Sequence, residues 1–205
     1  MYKAILFDLW DTIAKISNLD VLVDEVKKKL GEDRYAELKK QFTEWHFTPI
    51  SQSQLIENLD EKISIKKEEL PIIKRFLAPD QFEKYPETNK VLETLKNAGV
   101  KLVLVTNSPP TSKSAFNKLN LVQYFDRTVF SCDVGLMKPD RGIFDYAIKD
   151  LDVKPGEVLM VGDSLDKDVN GAISAGLNAI LIDRKGLTEY KNKINNLSQL
   201  IEKVK

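Results

Sequence analysis

Short apolar runs recur along the chain, and each ends in polar side chains able to do chemistry. Ala4-Ile5-Leu6-Phe7 leads into Asp8, and Leu102-Val103-Leu104-Val105 into Thr106-Asn107-Ser108. Val129-Phe130 leads into Ser131-Cys132-Asp133, Val158-Leu159-Met160-Val161 into Gly162-Asp163-Ser164, and Ala179-Ile180-Leu181-Ile182 into Asp183. Runs this short, rich in Val, Ile and Leu and lacking a polar face, predict strands buried on both sides. Helical patterns lie between them. Val91, Leu92 and Leu95 recur at helical spacing before Gly99, and Ser112–Leu119, Gly142–Leu151, Asp168–Ala175 and a final Leu197–Val204 follow. Strand alternating with helix predicts an α/β fold, a doubly wound parallel sheet of five strands or slightly more, covered by helices on both faces. Ligands of such sheets bind outside the carboxyl ends of the strands, so these polar strand ends should share one crevice.

One stretch breaks the rhythm. From about Lys15 to Tyr85 helical segments replace buried strands: Leu19–Leu30, Arg34–Trp45, Ser51–Ile63 and Lys66–Leu77. Ser51 and Ser64 suit the N-caps of the third and fourth, and Pro49, Pro71, Pro79 and Pro86 punctuate the region. The insertion leaves directly from the first strand end, where it can act as a lid that selects substrate and excludes water. The expected organisation is a core of residues 1–14 and 86–205 with a helical cap over 15–85.

Composition narrows the class of partner. The 205 residues carry 31 Lys+Arg against 31 Asp+Glu, a formal net charge of zero. A nucleic-acid protein draws most of its affinity from a basic excess, and a polybasic membrane anchor needs one as well, so neither partner is expected. A single cysteine, Cys132, cannot form an internal disulfide, and no apolar stretch approaches the ~20 residues that span a bilayer. A reducing, cytoplasmic setting is expected.

The strand ends, taken together, resemble a known family. Phe7-Asp8-Leu9-Trp10-Asp11-Thr12 resembles the first motif of the haloacid dehalogenase superfamily of hydrolases and phosphatases. Leu102–Asn107 looks like its second motif, a strand ending in Thr or Ser. Gly135-Leu136-Met137-Lys138-Pro139-Asp140 looks like its lysine-bearing third. Val161-Gly162-Asp163-Ser164-Leu165-Asp166-Lys167-Asp168 looks like its acidic fourth, continuing through Gly171-Ala172 and Ala175-Gly176. The four occur in the family's order, and the likeness covers about residues 1–14 and 86–185, leaving the cap undefined. Receiver domains of signalling proteins use similar residue types on a parallel sheet, but there the acidic pair comes first and the acceptor Asp is mid-chain.

The resemblance implies Asp8 as a nucleophile, and a carboxylate can attack phosphorus or carbon and so split one hard step into two. Thr106, with the main-chain N–H of Asn107 after it, would hold substrate oxygens, and Lys138 would bind substrate and neutralise charge on Asp8 and the transferring group. Taken alone, Thr-Asn-Ser is ordinary loop chemistry. Crowded carboxylates repel unless a cation is present, and hard oxygen ligands suit Mg2+. The resemblance makes Asp8, the backbone carbonyl of Trp10 and Asp163 its direct ligands, with Asp168 behind them or acting through water. The implied substrate is a small phosphorylated molecule; monomer and homodimer stay open.

Trp10 departs from the pattern. Phosphatases of the family normally carry a second Asp there, which protonates the leaving alcohol, and an indole cannot do so at neutral pH. Such general acid–base help is worth ~10²–10⁴-fold. Asp11, one position on, should point the other way if the segment is extended, although a turn could re-aim it. Haloacid dehalogenases carry an aromatic residue at that position, but their counterpart of Asp163 is not acidic, and Asp163 would repel a haloacid. A Mg2+-dependent phosphatase is therefore the expected activity, with a 2-haloacid dehalogenase or a phospho-ligand binder without turnover as alternatives. In the cap, His46 is expected to be structural rather than a substrate contact or replacement acid. Arg34 and Arg75 are expected on solvated helix faces, and Cys132 behind a strand end.

Overall fold

The computed structural model describes residues 2–204. Six parallel strands form the central sheet in the order β5-β4-β1-β6-β7-β8. They are β1 (Ala4–Phe7), β4 (Lys101–Thr106), β5 (Arg127–Phe130), β6 (Val158–Gly162), β7 (Asn178–Ile182) and a two-residue β8 (Lys193–Ile194). The remaining two strands, β2 (Ala14–Ile16) and β3 (Phe82–Lys84), pair antiparallel as a separate ribbon. Strand β1 is central, with Phe7 opposite Leu104 of β4 on one side and Val161 of β6 on the other. That register brings the ends of β1, β4 and β6 to one level.

Side chains alternate between the two faces of each strand, and both faces are covered. Ile5, Phe7, Leu102, Leu104, Leu159 and Val161 meet Val91, Leu92 and Leu95 of α5 (Thr88–Asn97) and Phe116 of α6 (Ser112–Lys118). Leu197 and Leu200, the latter in α10 (Leu200–Lys203), close that layer. On the other face Leu6, Val103, Val105 and Met160 meet Ile143, Phe144 and Ala147 of α8 (Arg141–Ile148). A one-turn α7 (Ser131–Val134) follows β5 directly and stops at Gly135 in the left-handed region, φ 65°.

The inserted segment has a core of its own. Helices α1 (Leu19–Leu30), α2 (Glu32–Trp45), α3 (Gln52–Ile63) and α4 (Leu70–Leu77) bury Leu22, Val26, Leu38, Trp45, Leu59 and Ile73 against one another. Ser51 caps α3 as expected, accepting from the Gln54 N–H. The other expected cap is wrong. Ser64 ends α3 in the left-handed region, φ 50°, and α4 begins only at Leu70, behind Glu69. Helix α2 starts at Glu32, two residues before the expected Arg34, because Gly31 turns the chain there.

The segment expected as a helix over Asp168–Ala175 is instead a π-helical turn, Leu165–Asn170, running into α9 (Gly171–Ser174). No helix among the described residues is long and apolar enough to cross a membrane.

Candidate active site

Asp8 follows the last residue of β1, and its N–H donates to Val161 O at 3.0 Å, which locks it beside the end of β6. Lys138 arrives from the loop after α7. Its Nζ lies 2.6 Å from Asp8 Oδ1 and 2.6 Å from Asp168 Oδ1, and the ammonium is buried between them. Asp168 Oδ2 accepts in turn from the Ser164 N–H at 2.9 Å. Two glycines permit this density. A Cβ on Gly162 would fall 2.2 Å from Asp168 Cγ, and one on Gly171 2.9 Å from Pro139 Cα, beside Lys138. Any side chain at either position would push the lysine and the acids apart.

Asp8, Asp163 and Asp168 each place a carboxylate oxygen within 4.8 Å of the others. Burial, opposed by Lys138 and aided by Asp168, pushes Asp8 up to about 6. Asp163 keeps an exposed face at the crevice mouth. The protein mass around its carboxyl, followed by the charges of Asp8, Asp168 and Asp11, pushes it up to about 7. Burial works against the charge on Lys138, but Asp168 and Asp8 outweigh it and hold the ammonium above its ordinary value. Three carboxylates thus share one ammonium, an electrostatic deficit that a second cation would relieve. Hard, crowded oxygen donors of this kind fit a divalent ion such as Mg2+.

Thr106 ends β4 and is buried, with its Oγ1 2.7 Å from Ser108 Oγ. The Ser108 N–H donates to Ser131 Oγ at 3.0 Å, and Ser131 Oγ donates to His46 O of the cap at 2.7 Å. The Asn107 side chain is tied to the Lys138 backbone: Nδ2 donates to Lys138 O at 2.8 Å and Oδ1 accepts from Lys138 N at 2.9 Å. Its amide therefore helps to fix the backbone of Lys138. Thr111 adds a second cap contact, donating from Oγ1 to Leu77 O at 3.1 Å.

The family profile of haloacid dehalogenase-like hydrolases matches residues 2–176. The chain belongs to this family. It is 28% identical over 205 aligned residues to a glyceraldehyde 3-phosphate phosphatase of Methanothermobacter thermautotrophicus, covering 92% of this chain and 88% of that protein. Over 101 residues it is 37% identical to a phosphoserine phosphatase of Thermus thermophilus, an alignment spanning 49% of this chain and 41% of that one. Among solved structures, a HAD phosphatase from Thermococcus onnurineus is 31% identical and superposes with a TM-score of 0.75 over 98% of this chain and 97% of that one. A dehalogenase structure, 22% identical with a TM-score of 0.72 over 98% of this chain and 96% of that one, shares the fold.

In this haloacid dehalogenase-like hydrolase, Trp10 and Asp11 line different cavities. Trp10 lies beside Asn107 in the wall of a cavity of about 320 Å³ between core and cap. Asp11, in the left-handed region at φ 54°, lines a second cavity with Asp163, Tyr85 and Arg184, its Oδ1 3.5 Å from Tyr85 Oη. The two neighbours line different cavities, but not by the alternation of an extended strand: a left-handed turn sets Asp11, and its charge is felt by Asp163. Arg184 carried no signal in the sequence. It donates to the carbonyls of Asp11 and Thr12, pairs with Glu87 and stacks 3.3 Å from the Tyr85 ring centroid, bracing the loop after Asp8.

The cap residues divide. Arg34 makes a double contact with the buried Glu69 and donates to Ile63 O and Ser64 O, so it ties α2 to α4 instead of sitting on a solvated face. Arg75 is on the surface, paired with Glu25. His46 packs edge-on to Phe42, and burial, with the Lys167 charge, lowers it to about 4. Cys132 is buried behind the end of β5.

Proposed function

We propose that this hydrolase is a Mg2+-dependent phosphatase of small phosphomonoesters, working through an aspartyl-phosphate on Asp8. The observation that carries the reading is Asp163 in the carboxylate cluster. A haloacid brings its own carboxylate, and three acids around one lysine would repel it, whereas a cation held by those acids would supply the positive charge that a phosphoryl group needs. The phosphatase names of the relatives aligned over most of the chain support the same reading.

Asp8, the Trp10 carbonyl and Asp163 would hold the ion, with Asp168 behind them. When bound, Mg2+ would screen the negative charge on the phosphoryl oxygens. Asp8 attacks phosphorus from the end of β1. Lys138, fixed by Asp168 and by the Asn107 amide, neutralises charge on the nucleophile and the transferring group. Thr106 and the N–H of Asn107 orient the phosphoryl oxygens. Water then releases phosphate from Asp8. The cap over the crevice keeps bulk solvent out until product leaves.

Trp10 favours a second reading, since halide leaves without a proton. One experiment separates the two: phosphate release from a panel of esters with and without Mg2+, in the native enzyme and in Asp8→Asn. Mg2+-dependent release abolished by D8N is expected. Metal-independent halide release from 2-haloacids, without phosphatase activity, would overturn the assignment, as would tight ester binding with no turnover.

A further inference from the structure

Trp10, which stands where an acid would protonate a leaving alcohol, is also a lining residue of the cap–core cavity. On the core side the cavity is lined by Trp10 and Asn107, close in the chain to Asp8 and Thr106, and its other walls come largely from the inserted helices. Ile16, Leu19, Val23, Tyr35, Phe42 and Phe76 are among its apolar and aromatic lining residues, and Lys39 is its one charged lining residue. About 320 Å³ lies within the range of small-molecule sites. Phosphoserine would bring an ammonium and a carboxylate into this space; Lys39 could meet the carboxylate, but no acidic lining residue is there for the ammonium, and burying that charge without a partner is costly.

Resting on the phosphatase reading, we propose that the leaving group is an apolar, aromatic body whose oxygen departs as a stabilised anion, an aryl ester rather than a sugar or amino-acid phosphate. An alkoxide needs a proton as it leaves, and Trp10 has none to give. A phenol ionises near ~10, so its oxygen can depart as the phenoxide with little help. In the first step the Asp8–phosphorus bond forms, the bond from phosphorus to the aryl oxygen breaks, and that oxygen keeps the electron pair and takes its proton from solvent. In the second, water oxygen bonds phosphorus, the bond to Asp8 breaks and the proton lost by the water passes to bulk solvent, which restores the carboxylate and frees phosphate. The aromatic walls add a second selection: edge-on and tilted ring contacts already link Phe42 to Trp45, His46 and Phe76, and an aryl body extends that arrangement.

The test compares phenyl phosphate, benzyl phosphate, glycerol 3-phosphate and phosphoserine with Mg2+ present. Phenyl and benzyl esters share an aromatic body but differ in leaving oxygen; benzyl and glycerol esters share an alkoxide but differ in body. The expected kcat/KM is at least ~100-fold higher for phenyl than for benzyl. Benzyl should exceed glycerol 3-phosphate by roughly tenfold, mostly through KM. Trp10→Asp should narrow the phenyl–benzyl gap by an order of magnitude or more. Leu19→Lys, at a partly exposed position of the wall, should raise KM for both aromatic esters about tenfold. Glycerol 3-phosphate or phosphoserine turning over as efficiently as phenyl phosphate would overturn the inference, as would an unchanged gap in a folded W10D. If no ester releases phosphate, the phosphatase reading falls and takes this one with it; if phosphate is released with the preference reversed, this one falls alone.

Discussion

Gly162 and Asp168 approach so closely that only a hydrogen fits between the glycine Cα and the carboxylate: an added Cβ would sit 2.2 Å from Asp168 Cγ. The neighbouring atoms cannot yield cheaply, because Asp168 is bonded to Lys138 Nζ and to the Ser164 N–H at once. Gly162→Ala should therefore displace Asp168 and free Lys138 from its position against Asp8. Turnover should fall at least ~10²-fold, the scale for misplacing one preorganised charge. A melting curve and kcat measured on the same variant check this; a folded G162A with native kcat would contradict it.

Magnesium should stabilise the fold. An ion that binds only the native state raises stability with its concentration, and here it would also relieve the repulsion among Asp8, Asp163 and Asp168. Thermal unfolding with Mg2+ and then with chelator should show a higher midpoint in the metal. Asp163→Asn should erase most of that difference, since it deletes the cluster's exposed ligand without opening the core.

Ser131 couples cap to core. Its buried Oγ accepts from the Ser108 N–H and donates to His46 O. Ser131→Ala leaves both unsatisfied, a cost of about 1–3 kcal/mol. The variant should open its cap more often, with faster amide exchange at the end of α2 and a KM raised more than kcat is lowered. Equal exchange in the two proteins would show that the hydrogen bond contributes nothing to closure.

Acid should loosen the cap through Glu69. The Arg34 guanidinium, with the Lys66 N–H, holds this carboxyl down at about 2. An unfolded Glu titrates near ~4.3. Glu69 thus contributes its stability fully above the unfolded value and loses it as pH falls from there towards 2. Glu69→Gln should cost about 2 kcal/mol at neutral pH and flatten the acid limb of a stability–pH curve. An acid limb of native slope in the variant would locate the effect elsewhere.

The main strands were legible because β1, β4, β6 and β7 are buried on both faces and so need unbroken apolar runs. Strands β2 and β3 were not: Ala-Lys-Ile and Phe-Glu-Lys are half-exposed and carry no such run. Ser64 offered the right residue type for an N-cap, but only backbone geometry shows that it closes the helix before it. Asp8, Lys138, Asp163 and Asp168 could be picked out by their motifs, and the structure brings them together. The bridging of Asp8 and Asp168 by one ammonium, the turning of the Asn107 amide towards Lys138, and the Ser131 contact all join residues 30 or more positions apart or cross from cap to core, and no local pattern encodes them.

The β2–β3 ribbon has a consequence for the history of the molecule. Ala14 pairs with Lys84 and Ile16 with Phe82, so the chain leaves the sheet-bearing body and re-enters it side by side. A tight hairpin turn could join those two strands directly. Whatever is spliced between them adds no gap for the rest of the chain to span. Such a joint lets one helical cassette replace another while Asp8 and its neighbours stay where they are.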